Sequence, residues 1–329
     1  MDWRGRLEVA KTAARAAGRI LLAQYAQRDK LTIDQKGRND FVSQADREAE
    51  AVIFAVLAQH FPQDGLLGEE TGQAGVSGAA LVWCIDKLDG ISNFLKGAHN
   101  WCVSIGLLAQ GLPVLGVVHD PVRNEMFEGA QGLGARENGK SMRVSLIDAP
   151  DRTAIGIGHV QRVPVDLFCV DTAALLNADF AFRQVGAGAL MLAYLAAGRI
   201  DAYFERHMWP RDAVAGLALL REAGGQFAPY QTAQVTAGDL VMASNGHLQA
   251  EPGRILLSQP GEGRTRAACL AGCGRESGHR KRPQPREPFE FGSGQAYSWL
   301  GQSSDGTGRS RASRHGMACA GRRAGGNPG

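Results

Sequence analysis

Two kinds of apolar spacing alternate along this chain, and their mixture constrains its fold more than any other feature. Residues 4–27 and 43–60 repeat apolar residues every three or four positions, which predicts two helices. The apolar runs 103–110 and 113–121 are separated at Gly111, which predicts an antiparallel hairpin. Hairpins next to helices favour an α+β fold over a regular series of parallel βαβ units.

The chain divides by composition and element order into three predicted regions. We expect an N-terminal α+β subdomain at 1–150, a C-terminal α/β subdomain at 151–257 and a basic tail at 258–329. The tail is rich in Gly, Arg, Ser and Pro, and it carries 12 of the 36 Lys and Arg but 5 of the 33 Asp and Glu. Its low apolar content predicts disorder, because it cannot bury enough surface to offset chain entropy. An RNA-binding arm and a segment without a selected function are the alternatives.

Acidic residues recur where predicted elements begin or end. Asp86 and Asp89 follow the apolar run 81–85, Glu69 follows a shorter one, and Asp212 begins a helix. A turn after residue 85 would let both aspartates converge, and converging carboxylates repel one another unless a hard cation, Mg²⁺ before Ca²⁺, binds them. Each acid alone is compatible with a solvated turn or with helix capping. Together the four positions favour a metal site.

These acids stand inside longer motifs. The stretch "WCIDKLDGISNF" at 83–94 matches W-x-x-D-P-[IL]-D-G-T-x-N-F, "GEE" occupies 68–70, and "RDAVAGLALLREAGG" at 211–225 matches W-D-x-x-A-G…EAGG. From about residue 5 to 257 the chain thereby resembles the inositol monophosphatase family of Mg²⁺-dependent, lithium-sensitive phosphatases. The resemblance implies a layered α/β/α/β/α fold, a homodimer and hydrolysis of the phosphomonoester of a small polyol or sugar by metal-activated water. Histidinol phosphate or another sugar phosphate is the alternative to an inositol phosphate.

The resemblance also assigns roles to individual residues. Two or three Mg²⁺ ions would be bound by Glu69, Asp86, Asp89, Asp212 and the carbonyl group of Leu88. Substrate contacts would come from Gly90, Ile91, Ser92, Gly186, Ala187, Gly188 and Glu205. Lys36, Asp46 and Glu70 would surround the ligands, and the attacking water would lie near Glu69, Asp46 and Ile91. Glu205 and Gly186 are also compatible with a surface acid and an ordinary turn.

Three positions depart from the family's pattern. Ile91 replaces a threonine whose hydroxyl group would position the attacking water, Lys87 replaces a proline, and Arg211 replaces a tryptophan. The Lys87 ammonium group would either compete with the metals or reach solvent, and a buried Arg211 needs a partner. We therefore expect metal and phosphate binding to be better preserved than turnover. The alternative is a weakened relative that acts as a binding or regulatory protein, with RNA bound only through the tail.

The chain carries no signal for membrane insertion or secretion. It has no run of about 18 uncharged apolar residues and no signal-peptide pattern. Its six cysteines lack the spacing of a zinc site, and Cys84, Cys102 and Cys169 are expected to be reduced core residues. These features predict a cytoplasmic protein.

Overall fold

The structure is a computed structural model that describes residues 1–28, 33–37, 40–70, 72–230, 237–248 and 255–256, with backbone alone at 33–37 and 40–46. By internal contacts the chain divides into a unit of Met1–Gly274 and a second unit of Arg275–Gly329. All described residues belong to the first unit. The predicted disorder of residues 258–329 therefore lies outside the described residues, and the boundary between 1–150 and 151–257 stays a prediction.

Helices and strands are interspersed throughout the first unit. The helices of the described residues are α1 (Trp3–Tyr25), α2 (Gln44–His60), α3 (Ile91–Lys96), α4 (Val165–Asn177), α5 (Gly188–Ala196) and α6 (Pro210–Glu222). The strands are β1 (Ile33–Gly37), β2 (Asp40–Ser43), β3 (Gly65–Leu67), β4 (Gln73–Ala74), β5 (Leu81–Asp89), β6 (Cys102–Ala109), β7 (Leu112–Asp120), β8 (Glu125–Ala130), β9 (Gly134–Glu137), β10 (Lys140–Ser141), β11 (Ala154–Ile157), β12 (Ala181–Arg183), β13 (Ala202–Met208), β14 (Gln226–Phe227) and β15 (Asp239–Ser244). The predicted hairpin is confirmed as β6–β7.

Two large sheets alternate with three helical layers, and β1 and β2 form a separate two-stranded sheet. The larger sheet has the strand order β10-β9-β8-β7-β6-β5-β3-β4, and the smaller one has the order β12-β11-β13-β15-β14. Helices α1 and α2 pack on the larger sheet, α5 and α6 contact strands of both sheets, and α4 packs against the smaller sheet. The expected α/β/α/β/α layering is confirmed.

Helix α1 shows how local sequence produces one of these layers. The Asp2 carboxylate accepts a hydrogen bond from the Gly5 amide at 2.9 Å and caps the first turn. Leu7, Ala14 and Leu21 recur every seven residues and are all buried. This stripe packs against β6 and β7, so burial of one apolar face stabilises both the helix and the sheet.

Strand β5 is the central element for the site. It lies between β6 and β3 and is buried along nearly its whole length, because α2 and α6 both pack on it. Its pairing with β6 shifts register between Asp86 and Asp89. The expectation that both acids follow the strand in a turn is therefore wrong. They lie within β5, where the irregular pairing with β6 changes the directions of their side chains.

Glycines let α6 approach the larger sheet closely. Gly106 and Gly116 face each other on β6 and β7. A β-carbon on Gly116 would lie 2.1 Å from the Ala215 carbonyl oxygen, so any larger residue would push the helix away. This contact sets the distance between the larger sheet and α6, whose first turn carries Asp212.

The cysteine prediction holds for two of its three residues. Cys84 and Cys102 are buried free thiols, whereas Cys169 is exposed. Cys169 lies on α4, which contacts the smaller sheet along one narrow face and turns its other residues towards solvent. Of the helices in the described ranges, not one combines the length and apolar composition needed to cross a bilayer.

Candidate active site

Parallel pairing places Glu69 beside Asp86. Strand β3 runs parallel to β5, and Glu69 follows β3 by two residues, so it arrives next to the irregular end of β5. The Glu50 carboxylate on α2 accepts hydrogen bonds from the main-chain amides of Glu69 at 2.9 Å and Glu70 at 3.0 Å. These bonds hold the turn after β3 in place.

Three aspartates form an acidic centre where β5 ends and α6 begins. Burial, followed by the charges of Asp212 and Glu69, raises the pKa of Asp86 well above its usual value. Burial and the neighbouring Asp86 raise the pKa of Asp89 to about 7. Burial likewise raises the pKa of Asp212 to about 7, although Arg211 opposes the shift. The three carboxyl groups are therefore close enough to influence one another's charge, and their convergence on a shared cation stays a prediction.

The chain's own groups satisfy these carboxylates incompletely. Asp86 Oδ1 accepts a hydrogen bond from the Leu88 amide at 2.9 Å, and Asp89 Oδ2 accepts one from the Ala189 amide at 2.8 Å, at the start of α5. Asp212 Oδ1, in contrast, is buried and has no hydrogen-bond partner among the described residues. A buried carboxylate oxygen without a donor is unfavourable, so this atom can accept an external cation or donor.

Two cationic side chains of the protein lie among the acids. The Lys87 ammonium group forms ion pairs with Glu69 and, at 3.0 Å, with Glu70. Arg211 Nη2 lies 3.5 Å from Glu69 Oε1, and its Nε lies 3.5 Å from Asp212 Oδ1. Of the two alternatives for Lys87, the structure supports proximity to the acids rather than exposure to solvent.

A hard divalent cation fits the aspartates better than it fits Glu69. Asp86, Asp89 and Asp212 supply only oxygen donors, and they include the unpartnered Oδ1 atom. Both carboxylate oxygens of Glu69 already face cations of the chain. Among the side chains that the structure describes, no group of three or more His, Cys, Asp or Glu is arranged to hold a metal as it stands. The ligand set, the Leu88 carbonyl and the number of ions stay predictions.

The turn of residues 186–188 lies against the start of α3. Gly90 precedes α3 with φ of 91°, and a β-carbon on it would lie 3.1 Å from the Ala187 β-carbon. Asn93 Nδ2 donates a hydrogen bond to the Val185 carbonyl at 2.8 Å and ties α3 to this turn. The sequence-predicted substrate residues of the two segments are therefore neighbours in space.

The first turn of α3 carries the position that departs from the family's threonine. Ile91 is partly buried and packs against the core formed by α1, α2 and the larger sheet. Ser92, the next residue, is exposed. The protein interior therefore holds the apolar side chain of Ile91.

Glu205 lies on β13 and is partly buried. The Tyr203 hydroxyl donates a hydrogen bond to Glu205 Oε2 at 2.6 Å. Burial nevertheless raises the pKa of Glu205 to about 7. Its Oε2 would lie 3.4 Å from a β-carbon on Gly188, so Glu205 also faces the turn of residues 186–188. The alternative that Glu205 is a surface acid is not supported.

Glutamine at position 205 is expected to make the protein's stability less sensitive to pH. A carboxyl group with a raised folded-state pKa stabilises the fold fully below about pH 4, and this contribution disappears as pH rises through about 7. We expect Glu205→Gln to raise the free energy of unfolding by about 2 kcal/mol at pH 8 and to leave it unchanged near pH 4. Urea unfolding at both pH values measures this difference.

The control for this prediction is Tyr203→Phe. It removes the hydrogen bond that favours the ionised carboxylate, so it should make stability depend more steeply on pH. If the free energy of unfolding changed equally with pH in the unaltered chain and in Glu205→Gln, the role of burial at this carboxyl group would be contradicted.

Two predicted residues cannot be placed in the site. Lys36 lies on β1 and Asp46 in the first turn of α2, but their side chains lie outside the described residues. Their predicted positions around the ligands, and that of Asp46 near the attacking water, stay predictions.

Two residues that hold the site in shape were not predicted from the sequence. The Glu50 carboxylate accepts a hydrogen bond from the Glu69 amide in the turn after β3, and the Tyr203 hydroxyl donates one to Glu205. A signal for Glu50 was present, because it stands three residues before Ile53 and seven before Leu57, both fully buried. An acid on the apolar stripe of a helix indicates a buried polar partner.

Comparisons with known proteins identify the family of this chain. Residues 2–260 match the inositol monophosphatase family. A Xylella fastidiosa protein named Nus factor SuhB is 40% identical over 231 residues, which are 69% of this chain and 82% of the relative. An inositol-1-monophosphatase of Synechocystis sp. is 34% identical over 258 residues, 77% of this chain and 89% of the relative.

A solved structure supports the same assignment. The extragenic suppressor protein suhB of Bartonella henselae superposes with a TM-score of 0.70 at 33% identity, over 77% of this chain and 98% of the other. The order of elements, the acidic centre at the end of β5 and the match across residues 2–260 lead to one conclusion. This chain belongs to the inositol monophosphatase family.

Proposed function

We propose that this protein hydrolyses the phosphomonoester of a small polyol or sugar, with an inositol monophosphate as the first candidate. The observation that carries the proposal is the buried acidic centre with its unpartnered Asp212 oxygen, in a chain that matches a phosphatase family across 2–260. A homodimer in the cytoplasm and histidinol phosphate as an alternative substrate belong to the same proposal.

Asp86, Asp89 and Asp212 would hold a Mg²⁺ ion, which when bound neutralises phosphate charge and lowers the pKa of a water molecule. The Glu69 carboxylate would accept a hydrogen bond from the attacking water. The water oxygen would form the new bond to phosphorus while the bond to the alcohol oxygen breaks, and the alcohol would leave with the proton that the water gives up. Phosphoryl transfer needs positioning and charge neutralisation more than covalent help, which is what these residues offer.

Other side chains would bind the two ends of the substrate. Arg211 keeps about a quarter of its side-chain surface exposed beside Glu69, at 23%, so its guanidinium group can donate to a phosphate oxygen. The main-chain amides at the start of α3, at Gly90 and Ile91, would also receive the phosphate. Glu205 and the turn of residues 186–188 would face the hydroxyl groups of the alcohol.

The test is a screen of phosphate release from a panel of phosphomonoesters, with Mg²⁺ and with a chelator. The panel contains inositol 1-phosphate, a sugar phosphate, histidinol phosphate and an aromatic monoester. We expect release that requires Mg²⁺ and favours the polyol or sugar esters. Release that is equal with the chelator, or absent for every ester, would contradict the proposed function.

A second candidate is a regulatory protein with weak or no turnover. It is favoured by Lys87 and Arg211, whose charges lie among the acids, and by the Xylella relative, which is named a Nus factor rather than a phosphatase. In this case RNA would bind through the basic tail at 258–329. Comparison of the full chain with a variant that lacks the tail separates the candidates. Loss of RNA affinity without phosphatase activity in either form supports the second, and unchanged Mg²⁺-dependent activity supports the first.

A further inference from the structure

The ammonium group of Lys87 lies among acidic side chains, although lysine normally extends into water. Its side chain is 2% exposed, and the residue sits within the register shift of β5. It forms ion pairs with Glu69 and, at 3.0 Å, with Glu70. A buried lysine is tolerated because carboxylates surround its charge, so Lys87 has the position of a bound cation.

Arg211 contacts the other carboxylate oxygen of Glu69. Its Nη2 lies 3.5 Å from Glu69 Oε1, while the Lys87 ammonium group contacts Oε2. Arg211 Nε faces Asp212 Oδ1 at 3.5 Å, too far and too poorly aligned to satisfy that buried oxygen by a hydrogen bond. The protein's own cations therefore neutralise Glu69, whereas Asp212 retains an oxygen with free acceptor capacity.

Glu69 and the three aspartates of the acidic centre therefore differ in how well the chain's own cations neutralise them. The Glu69 part already holds positive charge, and a divalent ion placed there would be repelled at contact distance by the ammonium group. The part made of Asp86, Asp89 and Asp212 includes the unpartnered Asp212 Oδ1 atom, which a divalent ion could bind as an oxygen ligand. The proline of the family's pattern at position 87 has no charge and would leave Glu69 open to a metal.

We propose that the Lys87 ammonium group replaces a divalent cation at Glu69, so that this chain binds one divalent ion, at Asp86, Asp89 and Asp212. The inference rests on the metal site of the proposed function and departs from the ligand role that the resemblance gives to Glu69. Lys87 is in this view a positioning residue that holds Glu69, with Arg211 beside it.

The first test counts Mn²⁺ ions bound to the full chain at neutral pH, by calorimetry and by electron paramagnetic resonance of the free ion. The unaltered chain is expected to bind one ion. Lys87→Met keeps an unbranched side chain of similar length without charge, and it should bind two. Lys140→Met, at an exposed lysine on β10 of the same sheet, is the matched control and should bind one. Adding Glu69→Gln to Lys87→Met should return the count to one.

The second test does not depend on the folding of Lys87→Met. Glu69→Gln in the otherwise unaltered chain should change the dissociation constant for Mn²⁺ by less than about 3-fold, because Glu69 binds Lys87 rather than the ion. Asp212→Asn should weaken Mn²⁺ binding at least about 10-fold. Equal losses in Glu69→Gln and Asp212→Asn would show that Glu69 is a ligand and would overturn the proposal.

The number of bound ions tests the role of Lys87, whereas phosphate release tests the proposed function. Any stoichiometry other than one for the unaltered chain, or equal stoichiometry in it and in a folded Lys87→Met, overturns the role of Lys87. Binding of one ion without hydrolysis of any ester preserves that role and contradicts the proposed function instead. Thermal unfolding with and without Mg²⁺ gives a further readout, because Lys87→Met should lose stability in the metal-free state and regain it when the ion binds.

Discussion

Asparagine in place of Asp212 is expected to reduce Mg²⁺-dependent phosphate release by at least about 10³-fold while making the metal-free protein more stable. Asp212 is the aspartate that α6 supplies to the acidic centre. Its Oδ1 atom has no hydrogen-bond donor among the described residues. Without it the remaining two aspartates should hold a divalent ion weakly.

The gain in stability follows from the raised pKa of Asp212, which burial brings to about 7. Above that pH the ionised carboxylate opposes folding, so Asp212→Asn should raise the free energy of unfolding by about 1 kcal/mol without metal. The side chain is 21% exposed, and the ion pair with Arg211 is lost, so the gain stays small. Denaturant unfolding with a chelator at pH 8 measures it.

Asp166→Asn is the matched control, because Asp166 is an exposed acid in the first turn of α4, as Asp212 is in the first turn of α6. Removing a favourable interaction with a helix dipole should cost about 0.5 kcal/mol of stability and leave phosphate release within about twofold. Asp212→Asn with activity near that of Asp166→Asn would exclude Asp212 from the catalytic centre.

Threonine in place of Ile91 is expected to raise the turnover of inositol 1-phosphate by about 10²–10³-fold. The resemblance to the family places a hydroxyl group here that positions the attacking water, and isoleucine has none. The structure adds a cost, because Ile91 packs against the core beneath α3. Threonine removes part of that buried apolar surface, so the free energy of unfolding should fall by about 1 kcal/mol.

Ile91→Val is the control that separates the hydroxyl group from the change in size. Valine has nearly the shape of threonine, so it should cost similar stability and leave turnover unchanged. A gain in Ile91→Val equal to that in Ile91→Thr would mean that crowding by isoleucine limits the rate. If neither variant gains, Ile91 does not limit turnover.

The long elements could be predicted from local sequence, whereas the layering was implied by the resemblance to the family and the acids of β5 were wrongly expected to follow that strand. Apolar stripes of long helices and the run of β5 leave strong local patterns, because α1 and β5 each bury a continuous set of side chains. The short strand β11, at Ala154–Ile157, was not predicted, since four residues around Gly156 are too few to establish a period. The register shift in β5 was also missed, because it exists only in pairing with β6.

The sequence by itself supplied the acids of the candidate site, Glu69, Asp86, Asp89 and Asp212, inside motifs that resemble those of a Mg²⁺-dependent phosphatase family. Only the tertiary structure decided where the protein's own cations go. A lysine can extend towards solvent or inwards, and local sequence does not choose, since Lys87 meets Glu69 across 18 residues and Arg211 meets Glu69 across 142. The inward position of Lys87 is tolerated because the Glu69 and Glu70 carboxylates compensate its buried ammonium group for the loss of water.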